Sequence, residues 1–145
     1  MTTLINNRKA NFDYFIIERL LAGIQLSGTE VKSIRDKKAS ISEAFCHIYN
    51  GEVFIRNMHI AEYRLIKHTN HEPLRDRKLL LKKKEINKLE KSIKEKGLTI
   101  IPLNVTLTSA GFIHGELGLV KGKKSFEKRD AIKAKDAERE LKTSK

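Results

Sequence analysis

Residues 41 to 57 read ISEAFCHIYNGEVFIRN, two β-rich runs meeting at Asn50-Gly51. Asparagine and glycine are the residues that best tolerate the two positive-φ positions of a type I′ turn, so this dipeptide predicts a hairpin with a two-residue loop. Such a loop sets the register. Tyr49 then faces Glu52, Ile48 faces Val53, His47 faces Phe54, Cys46 faces Ile55 and Phe45 faces Arg56. Because side chains alternate along a strand, Ala44, Cys46, Ile48, Val53 and Ile55 share one small apolar face, which reads as core. Phe45, His47, Tyr49, Phe54 and Arg56 share the other. That mixture of rings and charge suits either a stacking surface for unpaired bases or the underside of a helix. Packing beneath a helix is the expectation, since aromatic stripes are more often packed than used.

Upstream, residues 13 to 28 (DYFIIERLLAGIQLSG) read as one long strand or two in line, and Gly23 within them predicts a bulge or bend. A short helix follows through Val31, Lys32 and Ile34, with Thr29 as its N-cap. Downstream, Leu79, Ile86, Leu89 and Ile93 recur at helical intervals, and Gly97 stands where a helix ends. Residues 98 to 108 alternate again as a half-buried strand, in which Pro102 marks an edge or a bulge. Their partner is the run from Phe112 to Val120, where Gly115 and Gly118 allow bending or close approach. About six antiparallel strands with one long inserted helix predict a mainly β fold, a small closed or partly open barrel, and an OB-like barrel fits this count.

The chain has 145 residues, enough for one domain. Thirty Lys and Arg against 18 Asp and Glu leave a net charge of +12, and this excess is clustered. Residues 82 to 96 carry 7 basic and 3 acidic side chains, and residues 121 to 145 carry 10 and 5, so 40 positions hold +9. Self-repulsion on that scale points to a polyanionic partner, the alternative being a pair of well-solvated surfaces. One cysteine, Cys46, precludes an internal disulfide, no apolar run approaches a membrane span, and the first residues lack a signal peptide's apolar stretch. A cytoplasmic protein without a membrane partner is expected. The domain expectation is an RNA-binding barrel over residues 1–122 with the basic helix inserted, followed by a basic tail, 123–145. That tail has too few apolar anchors to pack, so it is expected to be flexible and disordered when free and helical on its partner.

Catalytic and metal chemistry find little support. His68, His71 and Glu72 cluster, but no H-E-x-x-H or C-x-x-C spacing accompanies them. Gly122-Lys123-Lys124-Ser125 lacks the upstream glycine and strand of a P-loop. No nucleophile stands beside a base, so neither an enzyme nor a cofactor is expected. The stretch NHEPLRDRK (70–78) is more informative. Pro73 disfavours helix at Glu72, and the resulting loop carries Arg75, Arg77 and Lys78 up to the lysine-rich helix. Guanidinium groups there suit phosphate contacts or stacking along folded RNA, while pairing with Glu72 and Asp76 would make the same loop an ordinary one.

Four stretches occurring in this order, GTEVKSIR (28–35), NHEPLRDRKLLLKKKEI (70–86), GLTIIPL (97–103) and ELGLVKGKKSFEKR (116–129), resemble the small protein B (SmpB) family, bacterial partners of tmRNA. The likeness runs from about Asn7 to Glu140. It implies a six-stranded antiparallel OB-like barrel with helices packed around it and a non-enzymatic adaptor in trans-translation. The adaptor would bind the tRNA-like domain of tmRNA, enter the A site of stalled ribosomes with elongation factor Tu, and sense the empty mRNA channel with its tail. A generic OB-type binder of single-stranded RNA is the alternative function, and a monomer is expected. The tmRNA-binding residues implied are Lys32, Arg75, Arg77, Lys78, Leu80, His114, Lys121, Lys123 and Lys124. The ribosome-binding tail residues are Phe126, Lys128, Arg129, Ile132 and Lys133. Ile17 and Leu21 stand where the family commonly has glutamate, and His114 where it commonly has lysine.

Overall fold

In a computed structural model of the protein, residues 2–66 and 69–123 are described. The expected tail beyond Lys123, with Lys124, Phe126, Lys128, Arg129, Ile132 and Lys133, lies outside them, as does His68. Among the described residues, nine strands and three helices follow the order β1 (Thr2–Asn6), α1 (Ala10–Asp13), β2 (Tyr14–Ile24), α2 (Gly28–Arg35), β3 (Ala39–Ser40), β4 (Phe45–Tyr49), β5 (Glu52–Arg56), β6 (His59–Ile60), β7 (Arg77–Leu80), α3 (Lys83–Lys96), β8 (Thr99–Leu107) and β9 (Ile113–Gly122).

The β4–β5 hairpin has the register that its two-residue turn dictates, from Tyr49 opposite Glu52 to Phe45 opposite Arg56. Asn50 and Gly51 sit at φ +49° and +71°, as a type I′ turn requires. The hairpin anchors a sheet ordered β1-β8-β4-β5-β7-β2-β9, and β8 pairs with β9 as well. Every pairing is antiparallel. The ladder therefore returns to its start through β8, β4, β5, β7, β2 and β9, with β1 appended to β8. The inward face of the hairpin, Cys46, Val53 and Ile55, joins Ile24, Leu79, Ile100, Val105, Leu117 and Leu119 in the main core. Fold class is thus mainly β with some helices.

Several local expectations shift. The irregularity in β2 lies between Ile16 and Glu18, leaving Ile17 as the extra residue, whereas Gly23 continues the ladder opposite both Leu80 and His114. The α2 cap is Ser27 rather than Thr29: the Ser27 hydroxyl accepts from the Glu30 amide and the Glu30 carboxylate accepts from the Ser27 amide, a reciprocal capping box. Leu79 is not part of the helical stripe but a buried strand residue. Short apolar runs fit either period, and its partners Val53 and Ile24 make it a strand. Arg77 and Lys78 likewise belong to β7 instead of to the preceding loop.

Elsewhere the periodicities hold. The α3 helix buries Ile86 and Leu89, and Gly97 ends it at φ +63° with its amide donating to the Ile93 carbonyl at 3.0 Å. The β8 register shifts between Pro102 and Asn104, the bulge that a strand proline requires. Gly118 lets β9 approach closely, since a Cβ there would stand 3.0 Å from the Leu103 methyls. The outward aromatic face of the hairpin is largely open: Tyr49 is 63% exposed and Phe45 36%, while His47 and Phe54 between them are half-buried. The packed arrangement expected from the sequence is not what forms.

Candidate nucleic-acid interface

The outward side chains of three adjacent strands build a groove around one glycine. Leu80 on β7 and His114 on β9 both face Gly23 on β2. With no side chain there, the Leu80 side chain lies over the backbone, 3.4 Å from where a Gly23 Cβ would be. Two residues along the same face of β2 stands Leu21, 47% exposed beside a Leu80 that is 54% exposed. Lys78, Lys82 and Lys83 also line the groove, as does the hairpin tip, Asn50 to Glu52. The concavity holds about 900 Å³. Lys78 is 3.1 Å from Glu52, whereas among the described residues no ion pair holds Lys82 or Lys83. Exposed leucines between an imidazole and a row of ammonium groups offer apolar contact to a base and neutralisation to its phosphates.

A second cluster lies at the start of β7. Glu30, fully buried at the first turn of α2, receives Arg75 Nη2 at 2.7 Å on one carboxylate oxygen and Arg77 Nε on the other. Burial by itself would raise this carboxyl's pKa, but hydrogen bonds from Arg75, the Ser27 amide and Arg77, with the Arg77 charge, hold it down at about 2. Burial draws the Arg77 guanidinium below its usual pKa, and Glu30 opposes that shift.

Arg77 is not a surface group. Its side chain is wholly buried, and its other donors reach the carbonyls of Met58 (2.7 Å), Glu72 (3.3 Å) and Pro73 (3.1 Å). Four of its five donors thus hold protein atoms, and the expectation that it faces RNA is corrected. A lone run of basic residues gives no sign of this; the signal was Glu30, whose carboxylate needs a buried partner. The same loop is held by His71, whose Nε2 donates to the Ile60 carbonyl and whose Nδ1 meets the Thr29 hydroxyl, both at 2.9 Å. His71 is a buried structural residue, and among the described residues no group of three or more metal-ligating side chains exists. Arg75 differs: its side chain is 41% exposed and is positioned by Glu30.

The remaining expected residues lie apart. Lys32 on α2 places its ammonium 5.4 Å over the Tyr63 ring. Lys121 is exposed opposite Phe15, seven residues along β9 from His114, or roughly 23 Å at strand rise. Lys123 donates to the Asn11 carbonyl at 2.7 Å and lies 5.1 Å above the Phe15 ring. The structure therefore brings Lys78, Leu80 and His114 together, puts Arg75 at the neighbouring loop, and leaves Lys32, Lys121 and Lys123 on separate patches. Sequence reasoning missed the floor, Gly23, and the rim, Lys82 and Lys83. Cys46 offers no nucleophile, because burial pushes its thiol pKa far up.

A family model described as SmpB protein matches residues 4–145. The chain belongs to the SmpB family. Curated SmpB-family relatives, each described as an SsrA-binding protein, cover nearly all of it. That of Bacillus subtilis (strain 168) is 50% identical over 138 residues, 95% of this chain and 88% of the relative. That of Cytophaga hutchinsonii is 51% identical over 137 residues, 94% and 90% of the two chains. That of Wolbachia pipientis subsp. Culex pipiens is 48% identical over 140 residues, 97% and 94%. A solved SmpB chain, described as "tmRNA-SmpB: a journey to the center of the bacterial ribosome", matches with a TM-score of 0.73 and 38% identity, covering 90% of this chain and 95% of that one. The SmpB likeness read from four sequence stretches is borne out. No helix among the described residues is long and apolar enough to cross a membrane.

Proposed function

We propose that this protein is the tmRNA-binding adaptor of trans-translation in its cell, an RNA-binding protein of ribosome rescue that breaks no bond itself. The closed antiparallel ladder supports reading the sheet as a six-stranded OB-like barrel over residues 1–122. Its groove of Leu21, Gly23, Leu80 and His114, rimmed by Lys78, Lys82 and Lys83, takes the tRNA-like domain of tmRNA, and Arg75 and Lys121 extend the contact. Lys32 and Lys123 add charge beyond it, with Lys124 continuing the chain into the basic tail. Glu30 and Arg77 act as positioning residues that hold the loop and aim Arg75. The observation that carries the reading is the open, apolar and cation-rimmed groove over Gly23 in a chain of this family.

Delivery follows from the second cationic surface. With elongation factor Tu, one copy of the protein carries tmRNA into the A site, and residues 123–145 enter the mRNA channel when no message fills it. Phe126, Lys128, Arg129, Ile132 and Lys133 make the ribosomal contacts. Counterion release along the channel drives that entry, and a message already present excludes it by volume.

The test is affinity at fixed salt for the tRNA-like domain of the organism's own tmRNA against poly-U. The folded RNA is expected to bind at least about tenfold more tightly, a gap of about 1.4 kcal/mol. Gly23→Val, which fills the floor, should lower that affinity while circular dichroism stays unchanged. Equal affinity for both RNAs would instead favour the generic single-strand binder.

A further inference from the structure

We infer that the open outer face of the β4–β5 hairpin is a second RNA site, a stacking platform for unpaired nucleotides built on the exposed Tyr49 and the half-buried His47. It rests on the reading of the chain as an RNA binder, but its rings lie outside the tmRNA groove, with Lys78 shared between the two. The two rings project from the same face of β4, with centroids 6.4 Å apart and planes within 16° of parallel. Near-parallel rings this close together on one outward face give neighbouring π-faces on which unpaired bases can stack.

The surroundings suit a nucleic-acid strand. Phe54 lies opposite His47, and Lys78 lies opposite Phe54, so a ring and a cation continue the row across three strands. Arg56 lies opposite Phe45. Arg56 and Lys78 are held by Asp76 at 3.3 Å and Glu52 at 3.1 Å, with the cationic side chains 46% and 38% exposed. Exposed pairs of this kind contribute little to stability, so a phosphate can take the place of either carboxylate at small cost. Base–aromatic stacking on a sheet is the way single-stranded RNA is commonly held, because every base has a π-face and unpaired bases can splay onto it.

Position selects the occupant. Asn50, Gly51, Glu52 and Lys78 line the tmRNA groove, and Tyr49 is the next residue beyond that lip. An unpaired RNA segment leaving the groove over the hairpin tip would run directly onto Tyr49 and then His47. The platform is also firm, because both residues sit in a hairpin whose register is set by its turn and whose opposite face is core.

The experiment uses the full chain with two probes: the isolated tRNA-like domain, and a U-rich 12-mer carrying one 2-aminopurine. The variants are His47→Ala, Tyr49→Ala, Tyr49→Phe and, for the groove, Gly23→Val. The wild-type protein is expected to quench 2-aminopurine fluorescence, the signature of stacking. Tyr49→Ala and His47→Ala should each lower 12-mer affinity about tenfold and abolish quenching, with affinity for the tRNA-like domain within twofold of wild type. Tyr49→Phe should restore both signals, and Gly23→Val should do the reverse of Tyr49→Ala. If the wild type binds the tRNA-like domain while the alanine variants keep full 12-mer affinity and quenching, the platform fails alone. If the wild type binds neither RNA, the RNA-binding reading fails with it. Either result would mean that a protein, or nothing, uses this face.

Discussion

Replacing Glu30 with glutamine keeps the shape of the side chain and removes its charge from between two guanidinium groups. In the folded protein the carboxyl is held at about 2 against an ordinary value of 4.5. At about 1.4 kcal/mol for each pH unit between folded and unfolded values, that difference corresponds to about 3 kcal/mol at neutral pH. Losing one member of a buried pair typically costs 3 to 5 kcal/mol, because the remaining charge, here Arg77, is left uncompensated. The sign of the pH effect follows from the lowered value. Between pH 4.5 and about 2 the unfolded chain binds the proton more readily than the folded one. The stabilisation is therefore complete above about pH 5, falls as acid is added through that window, and is gone below it. Urea unfolding followed by circular dichroism, at neutral pH and at steps down to about pH 3, measures both effects. Glu30→Gln is expected to lower stability by about 3 kcal/mol at neutral pH and to show a shallower acid dependence than the wild type. A variant within about 0.5 kcal/mol of wild type, or one with unchanged acid dependence, would refute the reasoning that Glu30 is an ionised anchor. A double variant, Glu30→Met with Arg77→Met, should be more stable than Glu30→Gln, because it leaves no unpaired charge buried: Arg75 also loses Glu30, but its side chain is 41% exposed and can be hydrated.

Two further outcomes follow. Gly118→Ala puts a Cβ 3.0 Å from Leu103 Cδ1 and Cδ2 in a buried layer, so it should cost about 1 to 3 kcal/mol by overpacking; an unchanged urea midpoint would show that Leu103 can turn away freely. Lys82→Ala and Lys83→Ala should each lower the salt dependence of tRNA-like RNA binding by about one unit of slope, the mark of a lost phosphate contact, and an unaltered slope would remove that lysine from the interface.

The strength of each sequence signal explains how far the fold could be read. Asn50-Gly51 carries its own geometry, since the turn that accepts both residues also dictates the pairing of every residue on the two strands. Gly97 and Pro102 are similar: a missing side chain and a missing donor each have few places to stand. Leu79 misleads because seven residues from Ile86 is a helical interval, and only its neighbours in space, Val53 and Ile24, make it a strand residue. Gly23 could not be understood locally. Its role as a groove floor depends on Leu80 and His114, 57 and 91 positions away in sequence. Arg77 shows the same limit from the other side. In NHEPLRDRK it looks like a neighbour of Arg75 in solvent, but alternation along β7 turns Arg77 inward beside Leu79 and Lys78 outward beside Leu80. The aromatic face of the hairpin was recognised as a face, yet whether anything covers it is a property of the tertiary structure alone.

The central claim is that a folded body grips tmRNA while a separate basic segment reads the ribosome. It is tested most directly by ending the chain at Lys123. Affinity for the tRNA-like domain and tagging of peptides on ribosomes stalled without a stop codon are then compared with the full chain. The account predicts that RNA affinity stays within about twofold, since the groove is complete in residues 1–122, while tagging is lost. Tagging that survives the deletion, or RNA affinity that disappears with it, would contradict the division of labour.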